Sequence, residues 1–193
     1  YLAYLDLFKK LLHGFLRRCK YTWNMQKTSF SEFSCSAARA LEVMGEWWTP
    51  LIIRDIVLGV RRFEQIRVNL GISRKVLSGR LIHLLEHGVL KKVAYKDGRT
   101  REEYHLTQKG WAFVTSIVAI TQWGDEWECP EGGPPIIPTH KNCGGRVEAK
   151  LICDVCGPLS DGKEVTARRG PGAQVKPGTL LIAEHGYKPD RIE

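Results

Sequence analysis

A chain of 193 residues, 43% of them hydrophobic, can hold one medium domain and a small appendage. No apolar run approaches the roughly 18 to 20 residues of a membrane span, so no membrane partner is expected. The net charge of +8 is a weak pointer by itself, because residues 1–24 carry five Lys/Arg against one Asp.

In that first stretch Leu5, Phe8, Leu12 and Phe15 form an apolar stripe, with Lys9, Lys10, Arg17 and Arg18 elsewhere, the pattern of a basic amphipathic helix. Lys9 and Lys10 interrupt the apolar run and no small-residue cleavage site follows, which excludes a secretory signal. One reading is a membrane-surface or targeting helix. The preferred one is an upstream extension ahead of a native start at Met25, where MQKTSF opens a polar arm.

Helical spacing then predicts a first helix over Ser36 to Met44, with Ala37, Ala40, Leu41 and Met44 inward and Gly45 closing it. A second helix is expected near Trp47 to Leu58, with Pro50 in its first turn, Leu51, Ile52, Ile56 and Val57 packing, and Gly59 at its end. Phe63, Ile66, Val68 and Leu70 supply a third helix, and Gly71 makes the turn of a helix-turn-helix. Ser73 is placed as N-cap of the next helix, in which Val76, Leu77, Leu81, Leu84 and Leu85 recur up to Gly88.

From Val89 the period changes to two. Residues 89–95 and 100–106 read as strands about a Lys96-Asp97-Gly98-Arg99 turn, whose Asp-Gly pair favours a hairpin. Helix followed by hairpin is the winged-helix arrangement, in which the helix reads base edges and the wing grips phosphate. Charge agrees locally: between Arg61 and Arg101 there are eleven Lys/Arg against Glu64, Glu86 and Asp97. Ser73, Arg74, Lys75 and Ser78 are the expected base-facing residues, and Arg80, Lys92, Lys96 and Arg99 the expected phosphate or minor-groove contacts of double-stranded DNA.

Thr107 caps a long helix expected to run from Gln108 to about Trp127, with more apolar surface than its own domain can cover, which suits a two-fold contact. A Gly/Pro linker at 131–135 leads to His140-Lys-Asn-Cys143-Gly and Cys153-Asp-Val-Cys156-Gly. Two ligand pairs, each with two residues between its members and a glycine behind, fit a pair of zinc knuckles and a structural Cys3His site for Zn2+. Cys129 in place of His140, metal-free thiols and a degenerate lobe remain alternatives. Four of the six cysteines fall in residues 129–156, which favours metal over bridges and a reducing, cytoplasmic setting. Residues 167–193 are Gly/Pro-rich and read as a disordered tail.

The segments Cys35-Ser-Ala-Ala-Arg-Ala-Leu-Glu-Val-Met-Gly-Glu-Trp-Trp-Thr-Pro-Leu-Ile-Ile-Arg-Asp, Gly59-Val-Arg-Arg-Phe-Glu, Ile72-Ser-Arg-Lys-Val-Leu-Ser-Gly-Arg-Leu and Leu106-Thr-Gln-Lys-Gly resemble the HxlR-type family of bacterial winged-helix transcriptional regulators. The resemblance covers residues 34–127 and implies a homodimer on an inverted-repeat operator, joined through the Gln108 to Trp127 helix and the N-terminal region. It also singles out Cys35, since several such regulators sense electrophiles or oxidants with a cysteine before the first helix. The positive end of a helix dipole favours thiolate, the reactive form; a packed, inert cysteine is the alternative. The leader at 1–24 departs from the family pattern.

His83-Leu-Leu-Glu86-His87 matches the spacing of inverted zinc peptidases, but it ends a short helix against Gly88 with no third ligand or cleft, and no enzyme is expected. The expected architecture is mainly α with a small β-wing, an α+β fold. Residues 1–24 are an extension, 25–128 a winged helix-turn-helix domain for DNA binding and dimerisation, 129–166 a zinc-ribbon-like lobe, and 167–193 a tail. The expected function is sequence-specific transcriptional regulation. The alternative is a zinc-dependent protein-interaction module on a winged-helix scaffold.

Overall fold

The computed structural model describes residues 29–97 and 99–180, with the side chains of residues 97 and 99 outside the description. The helix expected within 1–24, the Arg99 side chain and the tail beyond 180 therefore lie outside the described residues. The compact unit that begins at Ser31 contains α1 (Ser36–Met44), α2 (Trp48–Val57), α3 (Phe63–Leu70) and α4 (Arg74–Glu86). A hairpin follows, β1 (Leu90–Asp97) and β2 (Arg99–Leu106), then α5 (Gln108–Ala112) and α6 (Val114–Trp127). Two short strands, β3 (Ile152–Cys153) and β4 (Gly157–Pro158), pair antiparallel in the lobe.

The core gathers Ile52, Ile53 and Ile56 from α2, Ile66 from α3, Leu77, Leu81 and Leu84 from α4, and Val89, Leu90 and Leu106 from the root of the hairpin. Helix ends place these elements. Gly71 takes φ +64°, the Gly71 N–H donates to the Val68 carbonyl at 3.3 Å and the Ile72 N–H to that of Arg67 at 3.2 Å. Gly88 repeats the device at the end of α4, with φ +64° and the Val89 N–H donating to the Leu84 carbonyl at 2.9 Å. These are Schellman endings, and they turn the chain sharply into α4 and then into the wing. Ser73 caps α4, its hydroxyl accepting from the Val76 N–H at 3.3 Å.

The hairpin pairs Leu90 with Leu106 and Asp97 with Arg99, so its register is centred on residue 98 instead of between Asp97 and Gly98 as the turn signal suggests. Burial explains the shift: both leucines lie in the core, and a one-residue slip would turn one of the strands over. The long helix expected from Gln108 breaks at Phe113, where the Phe113 N–H donates to the Gly110 carbonyl, a tighter i to i−3 bond. Gly110 is needed there, since a Cβ would stand 2.4 Å from the Val89 carbonyl oxygen and against the Leu106 side chain.

Several residues expected inside are outside. Ala37, Ala40 and Leu41 are exposed, as are Leu51, Val68 and Val76, whereas Ile53, not singled out by the pattern, is fully buried. The segment expected as a disordered tail carries turns between 170 and 180, and the Ser34 N–H donates to the Pro177 carbonyl at 3.4 Å. No helix among the described residues is long and apolar enough to cross a membrane.

Candidate nucleic-acid interface

The Ser73 cap and the Gly71 turn bring the start of α4 to the surface, with Ser73, Arg74 and Lys75 exposed and Ser78 one turn on, half-buried. Arg74 is not idle: a terminal guanidinium nitrogen lies 2.6 Å from Glu64 of α3, and the guanidinium stands 5.7 Å from the Phe63 ring centroid. Glu64 also takes Arg67 Nε at 2.9 Å, and that bond, ahead of the charge of Arg74, holds its carboxyl below the usual range. Arg80 is mostly buried, and its guanidinium lies 3.4 Å from Glu46 in the loop between α1 and α2.

On the wing, Lys92 pairs across the strands with Glu102 at 2.7 Å, which raises its pKa. Lys96 is exposed near the tip, and with Lys75 and Lys91 it makes no ion pair among the described residues. On β1, Lys92 and Lys96 lie on one face of the strand and Lys91 on the other. Residues the sequence pattern missed set the wing's angle. Arg62 donates to Glu103 at 3.0 Å and stacks 4.3 Å from the Tyr95 ring centroid, while the Tyr104 N–H donates to the Arg61 carbonyl at 2.9 Å. The Arg62 hydrogen bond is also the main cause of the lowered Glu103 pKa. The cross-strand placement of Glu102 and Glu103 against a lysine-rich strand is the signal that could have found them.

Buried Asp55 is another missed residue. It accepts from Arg54 at 2.8 Å and from Asn69 Nδ2 at 2.8 Å, so α2 holds α3, the first helix of the helix-turn-helix. Thr107 ties the other side. Its hydroxyl donates to the Gly88 carbonyl at 2.6 Å and accepts from the Gly110 N–H at 3.3 Å, joining the end of α4 to the start of α5. The peptidase-like histidines face carbonyls instead of a cleft: His87 Nδ1 lies 2.9 Å from the His83 carbonyl and His83 Nε2 lies 3.2 Å from that of Val43.

Cys35 stands as the N-cap of α1, half-buried and without a side-chain capping bond, with Gly178 packed over its Cβ. In the lobe, His140 Nδ1 lies 3.0 Å from Cys143 Sγ. Backbone N–H groups of Cys156 and Val155 point at the Cys153 sulfur and hold its thiol below the usual range. Gly144 and Gly157, directly behind Cys143 and Cys156, both take positive φ, 72° and 86°. The structure thus builds two turns of the knuckle type, but no three potential ligands converge among the described residues.

A helix-turn-helix feeding a basic hairpin, with the start of its second helix exposed, defines a winged-helix DNA-binding protein. The chain matches the HxlR-like helix-turn-helix family over residues 43–131. It is 45% identical over 141 residues to Rv3095 of Mycobacterium tuberculosis (strain ATCC 25618 / H37Rv), an uncharacterized HTH-type transcriptional regulator, covering 73% of this chain and 89% of that one. YvaP of Bacillus subtilis (strain 168), likewise an uncharacterized HTH-type transcriptional regulator, is 34% identical over 101 residues, 52% of this chain and 94% of its own. The crystal structure of PA1607, a candidate transcription factor, superposes with a TM-score of 0.65 at 33% identity, covering 74% of this chain and all of the other. The chain belongs to the HxlR-like helix-turn-helix family and is a DNA-binding transcriptional regulator, not an enzyme.

Proposed function

We propose that the protein acts as a homodimer that binds an inverted-repeat operator sequence-specifically, reading bases with the start of α4 and gripping phosphate with the wing. The observation that carries this is the capped start of α4, which leaves Arg74 and Lys75 exposed, in a chain whose wing carries Lys91 and Lys96 with no ion pair among the described residues. Ser73 and Ser78 complete the base-facing set, and Lys92, Arg80 and Arg99 the phosphate set, with Lys92 exchanging Glu102 for phosphate. The dimer contact is assigned to the outer stripe of α6, where Ile120, Trp123 and Trp127 are 56%, 59% and 66% exposed, together with the apolar face of α1. So much apolar surface left on one side of a terminal helix suits a second copy.

In this reading the lobe is a structural Cys3His zinc site formed by His140, Cys143, Cys153 and Cys156. The donor chemistry and the two glycine-backed turns fit a tetrahedral ion. Cys35 is the candidate sensor of electrophiles or oxidants, its thiol lying at the start of the helix assigned to the dimer contact.

Selection of bound DNA from a random pool by the purified protein tests the reading. The expected product is a palindrome with half-sites about one helical turn apart. Arg74→Ala should then relax specificity at one position by about 1 to 3 kcal/mol, while Lys96→Ala weakens all sequences alike. No enrichment from folded, zinc-loaded protein would turn attention to the lobe as a protein-interaction module. An unchanged response to a quinone in Cys35→Ser would remove the sensor assignment.

A further inference from the structure

Between the winged helix and the lobe lies a cavity of about 420 Å³, within the roughly 300 to 1,000 Å³ of small-molecule sites. Val57 of α2 and Ile117 and Val118 of α6 form one wall, and Ile137 and Val147 of the lobe close the other. Gln122 of α6 accepts from the Ala149 N–H and anchors the lobe beside it. Two charges of opposite sign stand at this cavity, Arg54 and Asp125. Arg54 spends Nε and one terminal nitrogen on Asp55, and Asp125 makes no ion pair among the described residues.

We propose that this cavity is an effector site for a small, uncharged, largely apolar molecule, of aromatic size, carrying a hydrogen-bond donor and an acceptor. The lining is aliphatic, so apolar burial drives binding. Arg54 is already matched by Asp55, so Asp125 leaves one negative charge on the lining, which disfavours anions, while each of the two side chains offers one hydrogen-bonding partner to a neutral ligand. The position gives binding a route to DNA. Arg54 is hydrogen-bonded to Asp55, and Asp55 holds Asn69 on α3, so a ligand that draws on Arg54 acts on the latch that seats the helix-turn-helix. The coupling part of the proposal rests on the DNA-binding reading above; the binding part does not.

The test uses the full chain and the neutral fluorescent probe N-phenyl-1-naphthylamine. Wild-type protein should show a saturable rise in emission. Val118→Trp and Val147→Trp fill the cavity from opposite walls, so the outcome does not depend on either one folding alone. Each should weaken the probe at least about tenfold, whereas Val175→Ala, at an exposed position outside the cavity lining, should leave it within about twofold. No saturable binding, or binding retained in both filled variants, would overturn the site. Saturating probe should also shift affinity for the selected DNA about fivefold or more, and Asn69→Ala should keep the probe but lose the shift. Probe binding with unmoved DNA affinity would overturn the effector role. Failure to bind DNA without any probe would instead overturn the operator reading, leaving the pocket result standing.

Discussion

From α2 to the root of the hairpin the fold rests on side chains withdrawn from water: Ile52, Ile53, Ile66, Leu77, Leu84 and Val89 have no exposed surface. Between residues 129 and 166 not one residue is buried, and Ile152 and Val155 stand 71% and 90% exposed. The first region contains its own reason to fold. The second contains turns and a few backbone bonds with little burial behind them. The same chain therefore stabilises its DNA-binding half with oil and, in the proposed reading, its lobe with an ion.

That contrast breaks most visibly on metal removal. A strong chelator, or Cys153→Ser, should expose residues 129–166 to protease while the denaturation midpoint of the winged helix stays put; a midpoint that falls with the metal would join the two regions into one. Next in size is Leu81→Ala, which should cost about 2 to 5 kcal/mol in chemical denaturation, against about 0.5 kcal/mol or less for Ile152→Ala in the lobe. Equal losses would contradict the contrast. Thr107→Ala removes a cap and the hydroxyl bond to Gly88, and about 1 kcal/mol should go with it, most of it restored by Thr107→Ser.

The smallest effect is electrostatic. Because Arg67, and after it Arg74, hold Glu64 ionised below the ordinary carboxylate range, its ion pairs contribute fully above the unfolded pKa and are lost as pH falls through the lower folded value. An NMR titration of the Glu64 carboxyl should show a midpoint below that of a model peptide. A midpoint at or above the peptide value would mean that Arg74 is already free to meet DNA at neutral pH.

Much of the winged helix is legible in the sequence because period and punctuation agree there. Ser73, Gly71 and Gly88 mark helix ends whose geometry follows from one hydroxyl and two missing Cβ atoms, and the switch to period two after Val89 announces the wing. What periodicity cannot say is whose core a stripe belongs to. Leu41 and Ala40 read as interior because apolar spacing looks alike whether a face meets its own domain or a second copy. Nor does residue type reveal pairing: Arg80 and Arg74 read as free for DNA, yet Glu46 and Glu64, distant by 34 and 10 positions, reach them in the fold. The break at Phe113 leaves no mark in the sequence because nothing nearby is a proline, and the close approach of Gly110 to Val89 beside it appears only in the fold. The knuckle turns are legible from spacing, but the order of Arg54, Asp55 and Asn69 emerges only when α2 and α3 cross.

The Thr107 tie has a further consequence. One hydroxyl rivets the end of α4 to the beginning of α5, and Gly110 lets the two backbones touch, while the break at Phe113 leaves a joint between that rivet and α6, the arm that would join a second copy in the proposed dimer. Such an arm would behave as a calliper leg that is rigid from α4 to α5 and jointed once before α6. In the proposed dimer the span between the two reading helices would therefore be set at Phe113, and the tolerance for half-sites a base pair nearer or farther would follow from how stiff that one joint is.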